Sequence, residues 1–387
     1  MKQIVIINRY YPPNPAISGH SACEMVREIA TRKKRFKMLV RYIHAPYAGG
    51  QANQVPAGIQ GEMLSIYNGK NKILRFIGNF IEGYRLVRLS LPYADAIITL
   101  TDPPMLNFWA GLMCNKKSIP WVYWALDLYP DAFVAAGIVR SKNYVYRALH
   151  QAIKSHPPDF LIALGGQQAT FLKDKFQKDI TSTILPCGII DIKKNISPPE
   201  WHSESKLVLA YAGNMGEAHD PEFLIQLIQR MDPKRHVCLL SMYGAKAARV
   251  LQAVENHPSV HFIDHIPQAY LPYIDIHLVC LLPAWTHICV PSKAVSAICS
   301  GKAIAFQGSL HSDIWQMFKN AAFYIHSSHH TQSMVRQLNH LLSLSKCSQQ
   351  LQEKQVHAKV YQKQLIKNKR IAYDTIANFL QTCRDKK

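Results

Sequence analysis

The chain has 387 residues, of which 48% are hydrophobic and 18% are charged. This length suits two domains, and the apolar fraction supports a sizeable folded core, which excludes wholesale disorder. The formal net charge of +20, from 45 Lys and Arg against 25 Asp and Glu, predicts an anionic partner.

The motifs do not support several classes of protein. The nine cysteines are scattered without a Cys-x-x-Cys pair, which favours reduced thiols in the cytoplasm over disulfides or zinc. The 18 histidines are also dispersed, so no metal site is predicted.

No nucleic-acid module accompanies the basic charge, so a membrane surface or a phosphorylated substrate is the better partner. The chain has no run of about 18 apolar residues, and residues 1–7 are too short for a signal peptide, so neither a transmembrane helix nor a leader is predicted.

The N-terminal half alternates strand and helix patterns. Residues 2–8 form a continuous apolar run, typical of a parallel strand buried on both faces. A proline-rich loop with Gly19 follows, and helical spacing then extends from Ser21 to Arg32. Further strands are predicted at residues 36–42, 95–100, 120–126 and 159–164. This order predicts a doubly wound α/β domain, in which ligands bind beyond the carboxyl ends of the strands.

Residues 70–90 have the pattern of a basic amphipathic helix, in which only Glu82 opposes the cations. Such a helix can lie in a membrane interface, with its apolar face among acyl chains and its cations among anionic headgroups. A helix packed on the sheet with a solvated basic face is an equal alternative. The cations are Lys70, Lys72, Arg75, Arg85 and Arg88.

Asp127 follows the predicted strand at residues 120–126 and begins the sequence Asp127-Leu128-Tyr129-Pro130-Asp131. A carboxylate at the carboxyl end of a strand can reach a bound ligand, and Asp127 could deprotonate a substrate hydroxyl. A helix N-cap or turn aspartate is the alternative, and both interpretations stay open.

The polar residues 191–205, which include Pro198 and Pro199, are the predicted linker between two domains. The first domain is predicted at residues 1–190 and the second at 206–360. Residues 361–387 are predicted as a C-terminal helix or tail, and whether it returns to the first domain is open. In the second domain, a strand pattern from Leu207 to Ala212 leads into the turn Gly213-Asn214-Met215-Gly216.

Residues 290–302 are predicted to form a short helix between two strands. Pro291 and Ser292 open it, and Gly301 fits a left-handed C-cap. A helix N-terminus carries free N–H groups and partial positive charge, and Lys293 in the first turn adds a full charge, so the stretch predicts a phosphate site. An ordinary βαβ crossover with a surface lysine is the alternative from this stretch alone.

Together these motifs resemble family 4 glycosyltransferases over nearly the whole chain, especially the branch that builds bacterial surface polysaccharides. The order and spacing of the motifs carry the resemblance. They are Tyr10-Tyr11-Pro12-Pro13 with Gly19, Thr101-Asp102-Pro103-Pro104, Asp127-Leu128-Tyr129-Pro130-Asp131, Tyr211-Ala212-Gly213-Asn214-Met215-Gly216, and Val290-Pro291-Ser292-Lys293 with Gly301-Lys302. The resemblance implies the GT-B architecture, two Rossmann-like domains whose parallel sheets face a central cleft. It also implies hexose transfer from a nucleotide-sugar with retained anomeric configuration and without an obligatory metal or other cofactor.

The resemblance also implies roles for individual residues. Lys293 and the helix start at Pro291 and Ser292 would neutralise the diphosphate leaving group, with Lys246 as a further donor contact. Asp127 would touch the acceptor or the sugar. The remaining donor contacts would come from Gly213, Asn214 and Gly216 at the phosphates or sugar, from the backbone near His265 and Ile266 at the base, and from Gly19 at the N-terminal side of the phosphates.

The chain departs from the family at the residues that commonly anchor the donor. Many members carry two glutamates in the stretch that holds Lys293, the second of which commonly binds the ribose, and here these positions are Ile288 and Ser296. The basic pair often found after the phosphate-loop glycine is replaced by Asn214 and His219. Phosphate neutralisation is therefore expected to fall mostly on Lys293.

The leading hypothesis is a retaining glycosyltransferase, peripheral at the cytoplasmic face of the membrane, that acts on a lipid-linked or other saccharide acceptor. A nucleotide-sugar 2-epimerase of the same fold is one alternative, since it would not need the basic amphipathic segment. A non-catalytic membrane-associated partner of a polysaccharide assembly complex is another, which Ile288 and Ser296 keep open. A nucleic-acid binder is a distant fourth, because only the charge supports it.

Overall fold

A computed structural model of the chain describes residues 1–12, 14, 16–32, 36–43, 72–192 and 196–383. The description of residues 72, 73 and 75 is limited to their backbone. Pro13 of the first motif and Lys70 of the amphipathic segment therefore lie outside the described residues, as do the side chains of Lys72 and Arg75.

The chain forms two compact units. One comprises residues 1–187 and 368–387, and the other comprises residues 188–367. The division falls between Cys187 and Gly188, ahead of the predicted linker at residues 191–205. The last helix, Gln349–Thr382, is continuous across residue 361 and across the return to the first unit at residue 368.

The N-terminal unit contains a six-stranded parallel sheet in the order β2-β1-β3-β4-β5-β6. Its strand β1 lies between β2 and β3 and buries Ile4, Val5, Ile6 and Ile7 completely, as expected of a parallel strand covered on both faces. The strands are β1 (Lys2–Ile7), β2 (Phe36–Arg41), β3 (Ala96–Thr99), β4 (Trp121–Ala125), β5 (Phe160–Ala163) and β6 (Ser182–Ile184).

Helices connect these strands. α2 begins at Lys72 and ends at Ser90, within the predicted amphipathic segment. In the part of the chain that is described, none of the helices combines the length and apolar character needed to cross a membrane. The helices of this unit are α1 (Ile17–Arg32), α2 (Lys72–Ser90), α3 (Leu106–Lys116), α4 (Asp131–Ala135), α5 (Tyr144–Lys154) and α6 (Gly166–Phe176).

The C-terminal unit repeats the arrangement with a six-stranded parallel sheet in the order β12-β11-β10-β7-β8-β9. Its strands are β7 (Leu207–Asn214), β8 (His236–Tyr243), β9 (Val260–Phe262), β10 (Ile276–Cys280), β11 (Ala303–Gln307) and β12 (Ala322–Ile325). Its helices are α7 (Pro221–Ile228), α8 (Ala247–Val254), α9 (Ser292–Cys299), α10 (Asp313–Phe318), α11 (Thr331–Ser343) and the first part of α12 (Gln349–Thr382).

Alternate residues of β7 enter two different cores. Leu207, Leu209 and Tyr211 pack in one apolar cluster with α7, α8 and α11. Val208 and Ala210 pack in a second cluster on the opposite face, which includes Ile266. Because successive side chains of a strand point to opposite faces, the continuous apolar run of β7 covers both sides of the sheet.

The strand orders locate the ligand-binding edge in each unit. In the first sheet, β1 lies between β2 and β3, and in the second, β7 lies between β8 and β10. The chain therefore reverses its direction of winding at β1/β3 and at β7/β10. In open α/β sheets, ligands bind beyond the carboxyl ends of the strands at such reversal points. The residues that follow β1, β3, β7 and β10 are thus the candidates for function.

Candidate functional site

The turn after β7 is fixed by glycines and by Tyr211. Gly213 has φ +115°, a conformation that L side chains rarely adopt. The Tyr211 hydroxyl donates to the Asn214 carbonyl at 2.8 Å. Gly244, which follows β8, lies against the turn so closely that a Cβ there would be 2.1 Å from Asn214 Oδ1. The predicted glycine turn is therefore a tightly packed loop at the carboxyl end of the sheet.

The first turn of α9 lies beyond β10 at the same edge of the sheet. α9 begins at Ser292 after the N-cap Pro291, and no described side chain caps its first N–H groups. The Ser296 hydroxyl donates to the Gly188 carbonyl at 2.9 Å. A Cβ on Gly188, whose φ is +87°, would lie 2.6 Å from the Ser292 carbonyl oxygen. Ser296, a predicted donor contact, thus holds the start of this unit against α9.

Lys293 connects α9 to the glycine turn. Its ammonium donates to the Tyr211 hydroxyl and, at 3.0 Å, to the Asn214 carbonyl. The same nitrogen lies 3.9 Å from the Tyr211 ring centroid and 3.3 Å from His219 Nε2. Across the described residues, no carboxylate is within 4.0 Å of this nitrogen. Lys293 is therefore not the surface lysine of an ordinary crossover but a cation without an acidic partner.

The surroundings of this cation favour its neutral form. Burial lowers the pKa of Lys293 to about 7, although the thiols of Cys280 and Cys289 act in the opposite direction. Burial, together with the Lys293 charge, holds the pKa of His219 well below its usual value. Because Lys293 donates toward Nε2, we assign the proton of the neutral His219 ring to Nδ1. A bound anion would supply the negative charge that the site lacks.

Lys246 packs against the segment that follows the glycine turn, and its predicted aid in neutralising the diphosphate stays a prediction. Its ammonium donates to the carbonyls of Glu217 at 2.7 Å and His219 at 3.0 Å, and lies 3.7 Å from the Glu217 carboxylate. Lys246 therefore holds the segment that follows the glycine turn and presents His219 to Lys293. Sequence spacing does not reveal this, since the contact joins the loops after two neighbouring strands.

The remaining predicted donor contacts stay predictions. Ile266 is buried in the second apolar cluster, and His265 beside it is exposed. Ile288 is 7% exposed, so an apolar side chain fills one position where the family commonly has a glutamate. Gly216 lies against the Asn214 side chain, which a Cβ would approach to 3.2 Å.

The N-terminal unit places a second set of polar groups beyond β1, β3 and β4. The Arg9 amide donates to the Asp102 carbonyl at 2.8 Å, and the Ser18 hydroxyl donates to Asp102 Oδ2 at 3.0 Å. The Arg9 guanidinium donates to the side chains of Asn79 and Glu82 on α2. Burial raises the pKa of Asp102, and the Arg9 charge and the Ser18 hydrogen bond offset part of this rise.

Asp127 lies next to this network and is not a helix cap. Its amide donates to the Thr101 hydroxyl at 3.3 Å, whereas α4 begins at Asp131 after the N-cap Pro130. Part of its side chain is exposed to solvent. Desolvation by the surrounding protein and the negative charge of the neighbouring Asp102 nevertheless raise the pKa of Asp127 to about 7. Asp127 therefore exchanges between charged and neutral forms near neutral pH, as an acid–base group requires.

Gly19 lets α1 approach the loop after β1. A Cβ at this position would lie 3.1 Å from the backbone of both Tyr10 and Tyr11. The glycine is therefore required for close packing at the carboxyl edge of the first sheet, and its predicted contact with phosphates stays a prediction.

Sequence analysis did not assign roles to Tyr211, Arg9 or Asp102. Tyr211 and Asp102 occur in quoted motifs, and their positions, near the carboxyl end of β7 and just after β3, are the signal that could have identified them. Among the described residues, no group of three or more His, Cys, Asp or Glu side chains is placed so that it could hold a metal ion.

Comparison with known proteins establishes the fold. No protein-family model matches the chain. The structure of WaaG, a glycosyltransferase involved in lipopolysaccharide biosynthesis, superposes with a TM-score of 0.69 at 13% identity and covers 98% of this chain and 100% of WaaG. The chain has the GT-B fold. Anabaena HepE, crystallised with UDP and glucose, gives a TM-score of 0.66 at 13% identity, over 98% of this chain and 100% of HepE.

A sequence relative supports the same resemblance. The probable glycosyltransferase WbjE of Pseudomonas aeruginosa is 23% identical over 227 residues, which span 54% of this chain and 56% of WbjE. The match thus extends over about half the length of each protein. The predicted resemblance to glycosyltransferases of surface-polysaccharide synthesis is confirmed by these similarities.

The phosphate site that the sequence predicts at Lys293 can be tested with inorganic pyrophosphate. Lys293→Ala should weaken binding by about 2 kcal/mol, roughly 30-fold, because a charge-assisted hydrogen bond is lost. Wild-type affinity should fall by up to about tenfold per pH unit above pH 7, where free Lys293 loses its proton, until it approaches the affinity of Lys293→Ala, and the contribution of Lys293 should level off below pH 7. Isothermal calorimetry from pH 6 to 9 measures both effects.

Two variants serve as controls for this measurement. Lys293→Arg keeps its charge at all these pH values and should lack the extra alkaline loss, which separates titration of the site from titration of the ligand. Lys319→Ala, at an exposed lysine, should bind as wild type does. Equal binding by wild type and Lys293→Ala would contradict the assignment.

Proposed function

We propose that the protein is a glycosyltransferase that moves a sugar from a nucleotide-sugar to an acceptor in the synthesis of a surface polysaccharide or glycolipid. The observation that carries the proposal is the Lys293 ammonium, which lies between the glycine turn and the start of α9 with no acidic partner in the described part of the chain. The GT-B fold supports it, since HepE of the same fold binds UDP and glucose. The likeness to WbjE supports glycosyl transfer, and the likeness to WaaG, which is involved in lipopolysaccharide biosynthesis, supports the polysaccharide context.

In this proposal the C-terminal unit binds the donor diphosphate. The free N–H groups of Ser292 and Lys293 and the Lys293 ammonium stabilise the negative charge that develops on the leaving diphosphate, which is the main electrostatic task of the transfer. The glycine turn provides backbone that the phosphates or sugar can approach, and Lys246 keeps His219 in place behind it. Because these groups offset the charge, no obligatory metal is included.

The family resemblance implies retention of the anomeric configuration, and we propose it here. The nucleoside is held without the two family glutamates, since Ile288 is apolar and the Ser296 hydroxyl donates to Gly188. Backbone groups near His265 and Ile266 are the proposed contacts of the base. The anomeric signals of the product in a proton NMR spectrum distinguish retention from inversion.

We assign the acceptor to the N-terminal unit. Asp127 in its charged form binds the acceptor hydroxyl and accepts its hydrogen bond as the new glycosidic bond forms. Desolvation by the surrounding protein and, to a smaller extent, the neighbouring Asp102 raise the pKa of Asp127, and this makes the Asp127 carboxylate a better base near neutral pH. Arg9 and Ser18 hold Asp102 in place from the neighbouring strand end.

The two titrating groups predict a narrow bell-shaped dependence of kcat/KM on pH. Activity rises with pH toward 7 as Asp127 (pKa about 7) ionises, and falls above 7 as Lys293 (pKa about 7) loses its proton. Asp127→Asn should lower kcat/KM roughly 10²- to 10⁴-fold and abolish the acidic limb. Steady-state kinetics with a lipid-linked acceptor measures the profile.

The control for this experiment is Asp179→Asn, at a carboxylate that is 95% exposed, and it should leave the profile unchanged. Persistence of the acidic limb in Asp127→Asn would show that another group titrates and would contradict the assignment.

We further propose that the protein binds the inner face of the cell membrane through α2. Ile77 and Ile81 are 46% and 45% exposed on one helix face, and Arg85 and Arg88 continue this face toward the end of the helix. Glu82 points to the opposite side, where it is buried and paired with Arg9. The exposed face described for α2 thus combines apolar groups with cations and has no acid, which suits an anionic membrane interface.

Binding to vesicles of phosphatidylglycerol and phosphatidylcholine tests this surface. Ile77→Gln with Ile81→Gln should weaken binding by about 3 kcal/mol, roughly 100-fold, since two apolar side chains no longer enter the interface. The matched control, Val356→Gln with Val360→Gln, changes side chains that are 59% and 57% exposed on α12 and should bind as wild type does. Equal loss in both double variants would contradict a specific role for α2.

A further inference from the structure

A second exposed surface lies between α4 and α5, at residues 138–147, and is called the α4–α5 surface below. Three large apolar side chains there face solvent: Ile138 is 65% exposed, Tyr144 is 86% exposed and Val145 is 65% exposed. Only Ile153 of α5 is buried. Exposed apolar groups that cluster on one short segment mark a contact surface more often than scattered ones do.

The same segment is strongly basic. Arg140, Lys142 and Arg147 are exposed, and none of them forms an ion pair with a described residue. Between Asp131 and Asp159 the sequence contains no acidic residue. Asp131 itself is buried and paired with Lys175, so it does not offset the exposed cations. The surface therefore presents positive charge that is complementary to an anionic partner.

Local structure holds the surface in place. The Asn143 side chain accepts hydrogen bonds from the amides of Val145 and Tyr146, at 2.9 and 3.2 Å, and so fixes the start of α5. The Ile138 amide donates to the Phe133 carbonyl at 2.9 Å. On the inner side of α5, the Tyr146 hydroxyl donates to the Asp131 carboxylate at 3.1 Å. Tyr144 and Val145 are thus directed outward by a capped helix, and little ordering entropy is lost on binding.

The α4–α5 surface is connected to the exposed face of α2. Phe133, whose carbonyl holds Ile138, contacts the Phe76 ring of α2 edge-on at 5.5 Å between centroids. Both α2 and the α4–α5 surface thus carry exposed apolar side chains and cations, and the contact between Phe76 and Phe133 connects them. This continuity favours a single extended partner over two small ligands.

We propose that the α4–α5 surface is a second membrane-docking site, which places Ile138, Tyr144 and Val145 among acyl chains and headgroups while Arg140, Lys142 and Arg147 bind the phosphates of anionic lipids. The combination of exposed aliphatic residues with a tyrosine favours a membrane over a purely ionic partner, since tyrosine prefers the boundary between acyl chains and water. The inference extends the membrane association proposed for α2, and vesicle binding can be measured without any glycosyl transfer.

The charged part is tested with a triple variant, Arg140→Gln, Lys142→Gln and Arg147→Gln. Sedimentation with phosphatidylglycerol-containing vesicles should show roughly 100-fold weaker binding at physiological salt, because each cation next to an anionic surface contributes about fivefold. The matched control removes the same charge from exposed cations elsewhere, through Lys363→Gln, Lys367→Gln and Arg370→Gln. A loss in the control as large as in the α4–α5 variant would overturn the proposal in favour of a general charge effect.

The apolar part is tested separately with Tyr144→Ser and Val145→Ser. At high salt, where headgroup attraction is screened, the double variant should bind vesicles at least about tenfold more weakly than wild type because the apolar contacts are lost. The control is Val356→Ser with Val360→Ser. Wild-type binding by the Tyr144 and Val145 variant would overturn the proposed insertion.

Two further measurements separate the possible partners. If the triple variant loses affinity for heparin or single-stranded RNA but binds anionic vesicles as wild type does, the surface serves an acidic macromolecule and the proposal is wrong. Pyrophosphate binding by calorimetry should be unchanged in every α4–α5 variant. A failure of vesicle binding therefore remains distinguishable from a failure of the proposed donor site.

Discussion

The C-terminal site is arranged around a lysine ammonium that has no acidic partner among the described residues. The Lys293 nitrogen is held by the Tyr211 hydroxyl and the Asn214 carbonyl, and both of these acceptors are neutral. Holding a cation in such surroundings costs free energy, which an arriving phosphate would recover. The fixed glycine turn, the capless start of α9 and the Lys246 contacts all keep this nitrogen and its neighbours in one arrangement. The site is therefore prepared for an anion before it binds one.

The N-terminal unit is organised by the opposite kind of group. Asp102 is half-buried beyond β3, and Arg9 both bonds to it through its amide and pairs with Glu82 of α2. One arginine thus connects the acidic residues at the strand ends to the helix whose other face carries Ile77 and Ile81. The proposed acceptor site and the proposed membrane surface are joined through this contact. A lipid-linked acceptor would suit this arrangement, since its sugar and its lipid would be bound by neighbouring elements.

Local patterns predicted most of the fold and part of the site. The apolar runs at β1 and β7, the turn from Gly213 to Gly216 and the helix start before Lys293 are encoded by neighbours in sequence, so the parallel sheets and the start of α9 could be predicted, whereas phosphate binding there stays a prediction. Contacts between distant residues could not. Tyr211 and Lys293, Lys246 and His219, and Gly188 and Ser296 meet only after the strands have paired. Glu82 illustrates the same limit, since it counted against the basic face of α2 although it points to the buried side. The exposure of Tyr144 likewise depends on how α5 packs.

The most direct test of the central claim is calorimetric binding of UDP-, GDP- and ADP-sugars to wild type, Lys293→Arg and Lys293→Ala. The account predicts that wild type binds sugars of one nucleotide, that Lys293→Arg keeps at least part of this affinity, and that Lys293→Ala loses roughly 30-fold or more. Failure of wild type to bind any of these donors, with vesicle binding intact, would contradict the account and favour a membrane-associated protein without catalytic activity.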